Sequence, residues 1–545
     1  MRGVGIAVAL LAALVAAAPA GAADRFCNLD PNPPPPSPRI VAGDVEGNPY
    51  NVLLPAGYAT SGRRYPVLYL LPGRQYSEHS WLVKTDLAEF TEGFTGDRAA
   101  IVVTPSMGVD NWAFDYRDGS QDWERYALER LIPHIDARFR TIADGAHRAV
   151  AGFSAGAGGA TRWAAHRPDL FAATGGFSAP VPFVVPDQPY AGPGEVPPSE
   201  GAGSPGAPRG PADDPYAPPK QGCNSGGDAL GNPAVDRWFI HGNDASSLAV
   251  NLRGMGVYIA SGNGAPCGPQ DARDPILLAG VEPGVRELAR QFSAALSAAE
   301  VEHVNDELPC GLHNMIAAEQ ALHGFWEVMV RSFGRRPPAR FDYRSLFGQA
   351  EAWGWTFRAD PRRAPEFLEA RGVTREGLTL IGSGHTTVVT PPLFEPGERV
   401  AVEGALPAQA LADARGRLAL AADLGPPATT PQFSGEERRW TARRIRFTRS
   451  LVVGGAAILP AERPCTGTGA ITIRLRHPGT RERRRSLAVS VNGRRVLVRR
   501  TRRSLARKTV VLKGLPAAGE LRVGVRVRTT RGRTLKASRT YPPCA

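Results

Sequence analysis

Apolar runs and helical patterns alternate along the chain up to about residue 335. Short runs rich in β-branched and aromatic residues indicate strands, and apolar residues at three- and four-residue spacing indicate helices. The strand candidates are residues 65–71, 99–104, 148–153, 174–177, 257–260 and 302–308. The helix candidates are residues 123–138, 155–167, 284–299 and 316–331. This alternation predicts an α/β domain at 24–335, with a mostly parallel sheet flanked by helices.

The pattern changes after a Gly334-Arg335-Arg336-Pro337-Pro338 segment. Short apolar strands separated by turn residues follow, and helical periodicity largely disappears. We therefore expect two C-terminal β-rich domains, one at 339–455 and a basic, β-sandwich-like one at 456–545. The second contains an Asn492-Gly493 pair between strand-like runs, which predicts a hairpin turn.

Residues 186–222 interrupt the α/β domain with a stretch dense in Pro, Gly, Ser and Asp. Such a composition cannot bury an apolar core, so it predicts an irregular excursion between two core strands. Two interpretations stay open, a lid over the active site and an ordinary surface loop.

The N-terminus has the features of a secretory signal peptide. Residues 1–23 hold Arg2, an apolar run from Val4 to Ala18 and the small residues Ala20 to Ala23. No other long apolar stretch predicts a transmembrane anchor. We therefore expect a secreted, extracellular protein that is either released or held at a cell surface without a membrane span.

Six cysteines suit an oxidising compartment. Cys465 and Cys544 bracket the last stretch and are expected to pair. The other four allow three pairings that the sequence does not rank: Cys27, Cys223, Cys267 and Cys310. No cysteine or histidine cluster has the spacing of zinc ligands, so no structural metal is expected.

Positive charge is concentrated at the C-terminus. The whole chain carries +13, whereas residues 465–545 hold 22 Lys and Arg against 2 Asp and Glu. Such a region could bind an anionic polymer, for example a polyphosphate, an acidic glycan or nucleic acid. The alternative is a soluble, charged β surface. No combined aromatic and basic motif indicates a specific nucleic-acid binder.

A serine motif lies at the end of a predicted strand. Gly152-Phe153-Ser154-Ala155-Gly156 fits the GxSxG pattern, follows the apolar run 148–153 and opens a helix of small residues. In α/β-hydrolases this strand-to-helix turn exposes the serine above the sheet. Ser154 is therefore the predicted nucleophile.

A serine hydroxyl needs a base, and the chain order in this fold is serine, acid, histidine. His241 comes too early for that order, and His303 lies inside a strand pattern. Two candidates remain from the residues alone, His313 and His323.

Several further motifs resemble a known family, the secreted esterases that include the mycobacterial antigen 85 mycolyltransferases. The resemblance covers residues 50 to about 331. Its carriers are Leu53-Leu54-Pro55-Ala56-Gly57-Tyr58, Tyr65-Pro66-Val67-Leu68-Tyr69-Leu70-Leu71, Leu131-Ile132-Pro133-His134-Ile135-Asp136, the serine motif, Gly262-Asn263-Gly264-Ala265-Pro266 and His323-Gly324-Phe325-Trp326-Glu327. The resemblance implies an α/β-hydrolase that transfers acyl groups from esters without a cofactor.

The resemblance also ranks the histidines and the acids. In that family the catalytic histidine precedes a Trp-rich helix start, which favours His323 over His313 as the base. The antigen 85 enzymes carry the acid on the helix after the seventh strand, which favours Glu287. The rival acids are Glu282, Asp271 and Asp274.

Two backbone N–H groups must bind the oxyanion of the reaction intermediate. They come from the residue after the nucleophile and from the loop after the third strand. These rules indicate Ala155 and, where Pro72-Gly73-Arg74 replaces the corresponding motif of the family, Arg74.

The predicted function is that of a secreted serine carboxylic ester hydrolase or acyltransferase that acts on lipid, cell-envelope or extracellular esters. The mycolyltransferases hold trehalose with an Asp at the position of Pro72 here, so trehalose is not the expected acceptor. The alternative is a non-catalytic cell-envelope or matrix-binding protein, in which the basic tail binds a polyanion on a hydrolase scaffold.

Overall fold

The computed structural model describes most of residues 32–544 and divides into two compact units, Met1–Pro337 and Pro338–Ala545. The predicted signal peptide, the 186–222 excursion, Cys27 and Cys223 lie outside the described residues. Within 32–544, the residues not described are 109–111, 180, 182–229, 233–234, 275–280, 395, 435–439, 450–451, 455, 461–462, 464, 466–469, 478–481 and 517–518.

An eight-stranded sheet forms the centre of the first unit, in the order β1-β2-β4-β3-β5-β6-β7-β8. The pairs β1–β2 and β2–β4 are antiparallel, and the strands from β4 across to β8 run parallel. This arrangement confirms the predicted α/β-hydrolase fold. The strands are β1 Ile40–Val45, β2 Asn48–Leu53, β3 Val67–Leu71, β4 Ile101–Pro105, β5 Arg148–Phe153, β6 Ala173–Phe177, β7 Gly256–Ser261 and β8 His303–Glu307.

Helices cover both faces of this sheet. They are α1 Ser80–Val83, α2 Leu87–Phe90, α3 Trp123–Tyr126, α4 Ile132–Arg138, α5 Ala155–His166, α6 Arg237–Asn243, α7 Glu282–Ala298 and α8 Met315–Ser332. A π-helical turn, Ala127–Leu131, joins α3 to α4, and 3-10 turns lie at Gly96–Arg98, Gly145–His147, Ala249–Leu252 and Pro269–Arg273.

The residues of β5 show how both faces are used. Ala149, Ala151 and Phe153 share an apolar cluster with α8 residues, whereas Gly152 faces α5. Every residue of β3 to β7 is buried, which is typical of parallel strands that are covered on both sides. The carboxyl ends of these strands therefore open onto one edge of the sheet, where ligands bind in open α/β sheets.

The second unit is built almost entirely from antiparallel strands. Its sheets have the orders β10-β11-β14-β17, β16-β15-β18-β13-β12-β9, β19-β20-β21-β24 and β23-β22-β25-β26. The strands are β9 Phe341–Ser345, β10 Gln349–Ala352, β11 Trp355–Arg358, β12 Leu368–Thr374, β13 Gly377–Gly382, β14 His385–Val389, β15 Arg399–Glu403, β16 Gln409–Leu411, β17 Ala419–Asp423, β18 Thr441–Arg449, β19 Val452–Gly454, β20 Ala457–Leu459, β21 Ile471–Leu475, β22 Arg484–Val491, β23 Arg494–Arg499, β24 Thr509–Leu512, β25 Leu521–Thr529 and β26 Thr534–Tyr541. The described residues of this unit also form a short helix, α9 Arg502–Ala506.

Two apolar clusters underlie these sheets, one between Phe341 and Phe447 and the other between Ala456 and Tyr541. The β-rich character predicted for this half is confirmed. The boundary predicted at 455/456 falls between the paired strands β19 and β20, and the division into two domains stays a prediction. Asn492 and Gly493 form the turn of the β22–β23 hairpin with φ of 49° and 79°, as expected for an Asn-Gly turn.

Two disulfides are present in the described residues. The predicted Cys465–Cys544 pair is confirmed, and Cys267 pairs with Cys310, which selects one of the open pairings. Among the described helices, none combines the length and the apolar character needed to cross a bilayer.

Candidate active site

Ser154 occupies the sharp turn between β5 and α5. Its φ of 52° and ψ of −121° lie far from the common conformations of a non-glycine residue. The backbone holds this turn through an N–H bond from Ser154 to the carbonyl of Phe177, at 2.9 Å. A residue held in such strained geometry at the end of a parallel strand is typical of a nucleophile elbow.

Two glycines of the motif permit the tight turn. A Cβ added at Gly152 would lie 2.6 Å from backbone atoms of Gly156, and one added at Gly156 would lie 2.3 Å from the carbonyl oxygen of Pro72. Both distances are far below van der Waals contact. The GxSxG pattern is therefore a packing requirement, since the strand, the helix and the loop after β3 meet at this point.

His313 is the histidine beside the nucleophile. Its Nε2 lies 2.9 Å from Ser154 Oγ, and its Nδ1 lies 2.7 Å from Glu282 Oε2. An ionised carboxylate can only accept hydrogen bonds, so Nδ1 carries the proton and Nε2 is left to accept from the serine hydroxyl. The ring also packs against Phe153, at 4.9 Å between centroids.

Glu282 is the carboxylate behind that histidine. It is the first residue of α7 and is fully buried. Its Oε1 accepts hydrogen bonds from the Gly262 N–H and the Ser178 hydroxyl, both at 2.6 Å. Ser178 follows β6 and Gly262 follows β7, so the ends of two neighbouring strands fix the carboxylate.

His323, which the resemblance favoured as the base, does not lie beside Ser154 in the structure, and the assignment is corrected. His323 lies in the third turn of α8, where its Nε2 bonds Asp86 at 3.0 Å and its ring stacks on Phe90 at 4.0 Å. Its side chain is 37% exposed. It therefore stands away from Ser154, because α8 begins at Met315 and carries the chain from the site along the face of the sheet.

The position of Glu287 requires a second correction. Its side chain is 53% exposed and lies 3.7 Å from Arg290 on the outer side of α7. The choice rested on a helix start near Gly284, whereas α7 begins at Glu282. Pro283 could have indicated the true start of α7, because proline is favoured in the first turn of a helix. A helix that begins at Glu282 has Pro283 in that turn.

The other rival acids, Asp271 and Asp274, support the loop that carries His313. Asp274 is buried and accepts hydrogen bonds from Tyr76 OH at 2.7 Å, Lys84 Nζ at 3.0 Å and Met315 N at 2.8 Å. Asp271 accepts from the side chain of Asn314 at 3.2 Å.

The His313 loop is held from both ends. Asn314 caps α8 by accepting from the N–H groups of Ile316 and Ala317. The Cys267–Cys310 disulfide closes the other end, three residues before His313. The sequence Gly311-Leu312-His313-Asn314 could have revealed this position, because asparagine is a preferred helix N-cap and places His313 directly before a helix.

The loop after β3 passes directly against the nucleophile. A Cβ added at Gly73 would lie 3.3 Å from Ser154 Cβ and 2.8 Å from the ring of Phe153. Arg74 follows in this loop with an exposed side chain, and Ala155 is the buried first residue of α5. Ala155 thus follows Ser154 in the chain, and Arg74 follows Gly73, the residue that lies close to Ser154.

A buried ion cluster anchors the far end of α5. Glu124 bonds His166 Nδ1 at 2.8 Å and lies 3.4 Å from Arg162 Nε. Burial lowers the pKa of the Arg162 guanidinium to about 10. Burial alone would raise the pKa of Glu124, but His166 and Arg162 hold it below its usual value. The helix that begins at the nucleophile is therefore fixed by charge as well as by packing.

Among the described residues, no group of three or more potential ligand side chains is arranged to hold a metal ion.

With this geometry established, comparison with known proteins identifies the family. The Esterase family model, described as "Putative esterase", matches residues 48–323, slightly more than half of the chain. The chain belongs to this esterase family. The family membership predicted from the sequence motifs is thereby confirmed.

Curated relatives match over part of their length. Esterase Rv1288 of Mycobacterium tuberculosis is 39% identical over 150 residues, which are 26% of this chain and 31% of that protein. An endo-1,4-beta-xylanase/feruloyl esterase of Xylanibacter ruminicola is 34% identical over 133 residues, or 22% of this chain and 18% of that protein. The chain thus matches less than one third of the length of these relatives.

Solved structures with a similar fold include a ferulic acid esterase and MPT51 (FbpC1) of Mycobacterium tuberculosis. The first is 22% identical, with a TM-score of 0.39, and the match covers 54% of this chain and 98% of that one. The second is 18% identical, with a TM-score of 0.38, and the match covers 55% and 96%.

Proposed function

We propose that this esterase-family chain is a serine carboxylic ester hydrolase or acyltransferase with Ser154 as nucleophile, His313 as base and Glu282 as acid. The observation that carries the proposal is the continuous hydrogen-bonded line from Ser154 Oγ through His313 to Glu282, with distances of 2.9 and 2.7 Å. Such a line supplies what a serine needs to attack an ester, because the base accepts the hydroxyl proton as the bond forms.

The reaction proceeds in two halves. Ser154 Oγ attacks the ester carbonyl carbon while His313 Nε2 takes its proton, and the tetrahedral intermediate collapses as His313 returns that proton to the departing alcohol. Water or another alcohol then attacks the acyl-enzyme through the same base. Glu282 stays ionised and stabilises the charged imidazole between these transfers.

The negative charge on the ester oxygen needs preorganised donors. The backbone N–H groups of Ala155 and Arg74 are proposed for this role, one at the start of α5 and the other in the loop that contacts Ser154. The positive end of the α5 dipole adds to their effect, since it points at the same oxygen.

The substrate class proposed is a carboxylic ester of the cell envelope or the extracellular space, reached by a secreted protein. Two disulfides favour an oxidising compartment. One relative carries feruloyl esterase in its name, so a ferulate ester belongs in the substrate panel. The basic C-terminal region is proposed to bind an anionic polymer, which would bring the esterase unit to a polymer-bound ester.

The alternative function is that of a non-catalytic scaffold. Such a scaffold would not require the intact hydrogen-bonded line from Ser154 through His313 to Glu282.

The deciding experiment measures hydrolysis of p-nitrophenyl esters of graded acyl length and of methyl ferulate. Ser154→Ala and His313→Ala should each lower kcat by about 10⁴-fold or more, since each removes a group that acts in every turnover.

His323→Ala is the matched control, because it removes a histidine of the same domain that bonds Asp86 instead. It should keep kcat within about threefold of the unmodified chain. Loss of activity in His323→Ala together with an active His313→Ala would refute the assignment. Equal, negligible turnover by the unmodified chain and Ser154→Ala, on every ester, would favour the non-catalytic alternative.

A further inference from the structure

The sheet β23-β22-β25-β26 exposes one face whose charges are all positive. Its other face, which includes Leu487, Val489, Val523, Val525 and Val527, belongs to the apolar cluster of this region. Burial alternates along β25, so Arg522, Arg526 and Arg528 point away from that cluster. We call this the open face. Its cations are Arg495, Arg522, Arg526, Arg528 and Lys536.

Strand register places the cations mostly beside small and hydroxyl-bearing residues, and exposed Val498 lies opposite Ala488 on the same face. Arg528 lies between Ser486 and Thr534, and Arg526 lies between Ala488 and Lys536. Arg522 is opposite Thr540. Short neighbours leave the long cationic side chains accessible, and the serine and threonine hydroxyls stand between them.

Few carboxylates are available nearby in the sequence to compensate these charges. Residues 465–545 contain two acids, Glu482 and Glu520. Glu482 is engaged by Arg533, at 3.0 Å from its Nε. Within the described part of the chain, none of the five cations of the open face makes a side-chain hydrogen bond or an ion pair.

One pairing on this face costs stability. Arg526 and Lys536 are directly opposite each other on antiparallel strands, and like charges in that position destabilise a sheet. Arg528 adds a third positive charge about 7 Å along the strand. A cluster that repels itself is stabilised when a bound polyanion neutralises it.

We propose that the open face binds a linear acidic polysaccharide, with carboxylates on Arg526, Arg528 and Lys536 and sugar hydroxyls on the serines and threonines between them. Along β25, Arg526 and Arg528 are about 7 Å apart, and Arg522 and Arg526 are about 13 Å apart. These distances suit the carboxylates of a polysaccharide, which are separated by sugar rings. The charges of polyphosphate are more closely spaced. The open face presents no aromatic side chain, and stacking on aromatics is what non-specific single-stranded nucleic-acid binders use. The inference deepens the polymer binding named in the proposed function and does not depend on the esterase chemistry.

The test uses the full chain and measures binding to polygalacturonate at low and at 0.15 M salt. The variant Arg526→Gln/Arg528→Gln/Lys536→Gln should weaken binding by at least about tenfold, and salt should weaken binding by the unmodified chain, because exposed charges are screened.

The matched control is Arg502→Gln/Arg503→Gln/Arg507→Gln, which removes the same charge in and beside α9. Leu505 anchors α9 in the apolar cluster, away from the open face. The control should bind within about twofold of the unmodified chain. Hydrolysis of p-nitrophenyl acetate is measured in parallel and should be equal in all three proteins. It reports on the esterase separately.

Three results would overturn the proposal. Equal weakening by both triple variants would show attraction by net charge alone. Tighter binding to polyphosphate or to duplex DNA than to polygalacturonate would assign the face to another polymer. No binding to polygalacturonate at low salt would exclude the polysaccharide, whereas loss of hydrolysis alone would count against the esterase only.

Discussion

The environment of Glu282 explains why this carboxylate, among several near the site, can act behind the histidine. One oxygen accepts from a backbone N–H and a serine hydroxyl, and the other accepts from His313. These three donors bind both oxygens of the buried carboxylate, so its hydrogen bonds are completed by the protein itself. The same burial excludes water, so the charge stays directed at the imidazole.

Substitution of Glu282 by glutamine removes the negative charge of the side chain and keeps its size. The amide keeps the volume but can turn its NH₂ toward His313, which would force the wrong tautomer, so kcat should fall by about 10³- to 10⁴-fold. Glu287→Gln is the control, since that exposed side chain touches Arg290 rather than the histidine. Steady-state hydrolysis of p-nitrophenyl acetate measures both. An inactive Glu287→Gln beside an active Glu282→Gln would reverse the assignment.

At the level of elements, strand ends and helix starts bring the site together. Ser154 follows β5, Ser178 follows β6, Gly262 follows β7 and His313 precedes α8. Asp274 links these pieces, because its partners come from the loop after β3, from the residue after α1 and from the first residue of α8.

Asp274→Asn should therefore loosen the histidine loop without touching the substrate. The substitution removes the carboxylate that lies 3.0 Å from Lys84 Nζ, a side chain that is 13% exposed, so the free energy of unfolding should fall by about 3 kcal/mol. We expect kcat to fall by about tenfold with KM nearly unchanged, because a positioning residue acts through His313. Urea denaturation and steady-state kinetics measure these effects. The exposed Asp97→Asn is the control, and an unaltered kcat in Asp274→Asn would refute the positioning role.

Local sequence patterns predicted the presence of strands and helices better than the residues at which they begin. The serine turn and most strands of the central sheet follow from apolar runs and small residues, which act locally. The acid depends on where α7 begins, because a predicted start at 284 placed exposed Glu287 in the first turn, whereas the observed start places buried Glu282 there. The predicted helix 316–331 already contained His323, and the family resemblance alone favoured that residue as the base. The partners of Asp274 are 41 to 198 residues away in sequence, a separation that no local pattern reports.

At the scale of the whole molecule, the candidate active site and the basic region lie in different parts of the chain. Ser154, His313, Glu282 and their hydrogen-bond partners all lie in the unit that ends at Pro337, whereas the +20 of residues 465–545 lies in the unit that follows. Each unit has apolar clusters of its own. Because neither set of groups needs the other for its contacts, hydrolysis and polymer binding should be separable by truncation.

A chain that ends at Pro337 tests this separation. It should hydrolyse p-nitrophenyl acetate with a kcat within about threefold of the full chain, because every contact of the triad is retained. It should lose binding to polygalacturonate, since all five cations of the open face are gone. Circular dichroism and a thermal transition control for folding. A folded but inactive truncated chain would mean that the second unit contributes to the active site, and retained polymer binding would place that function on the first unit.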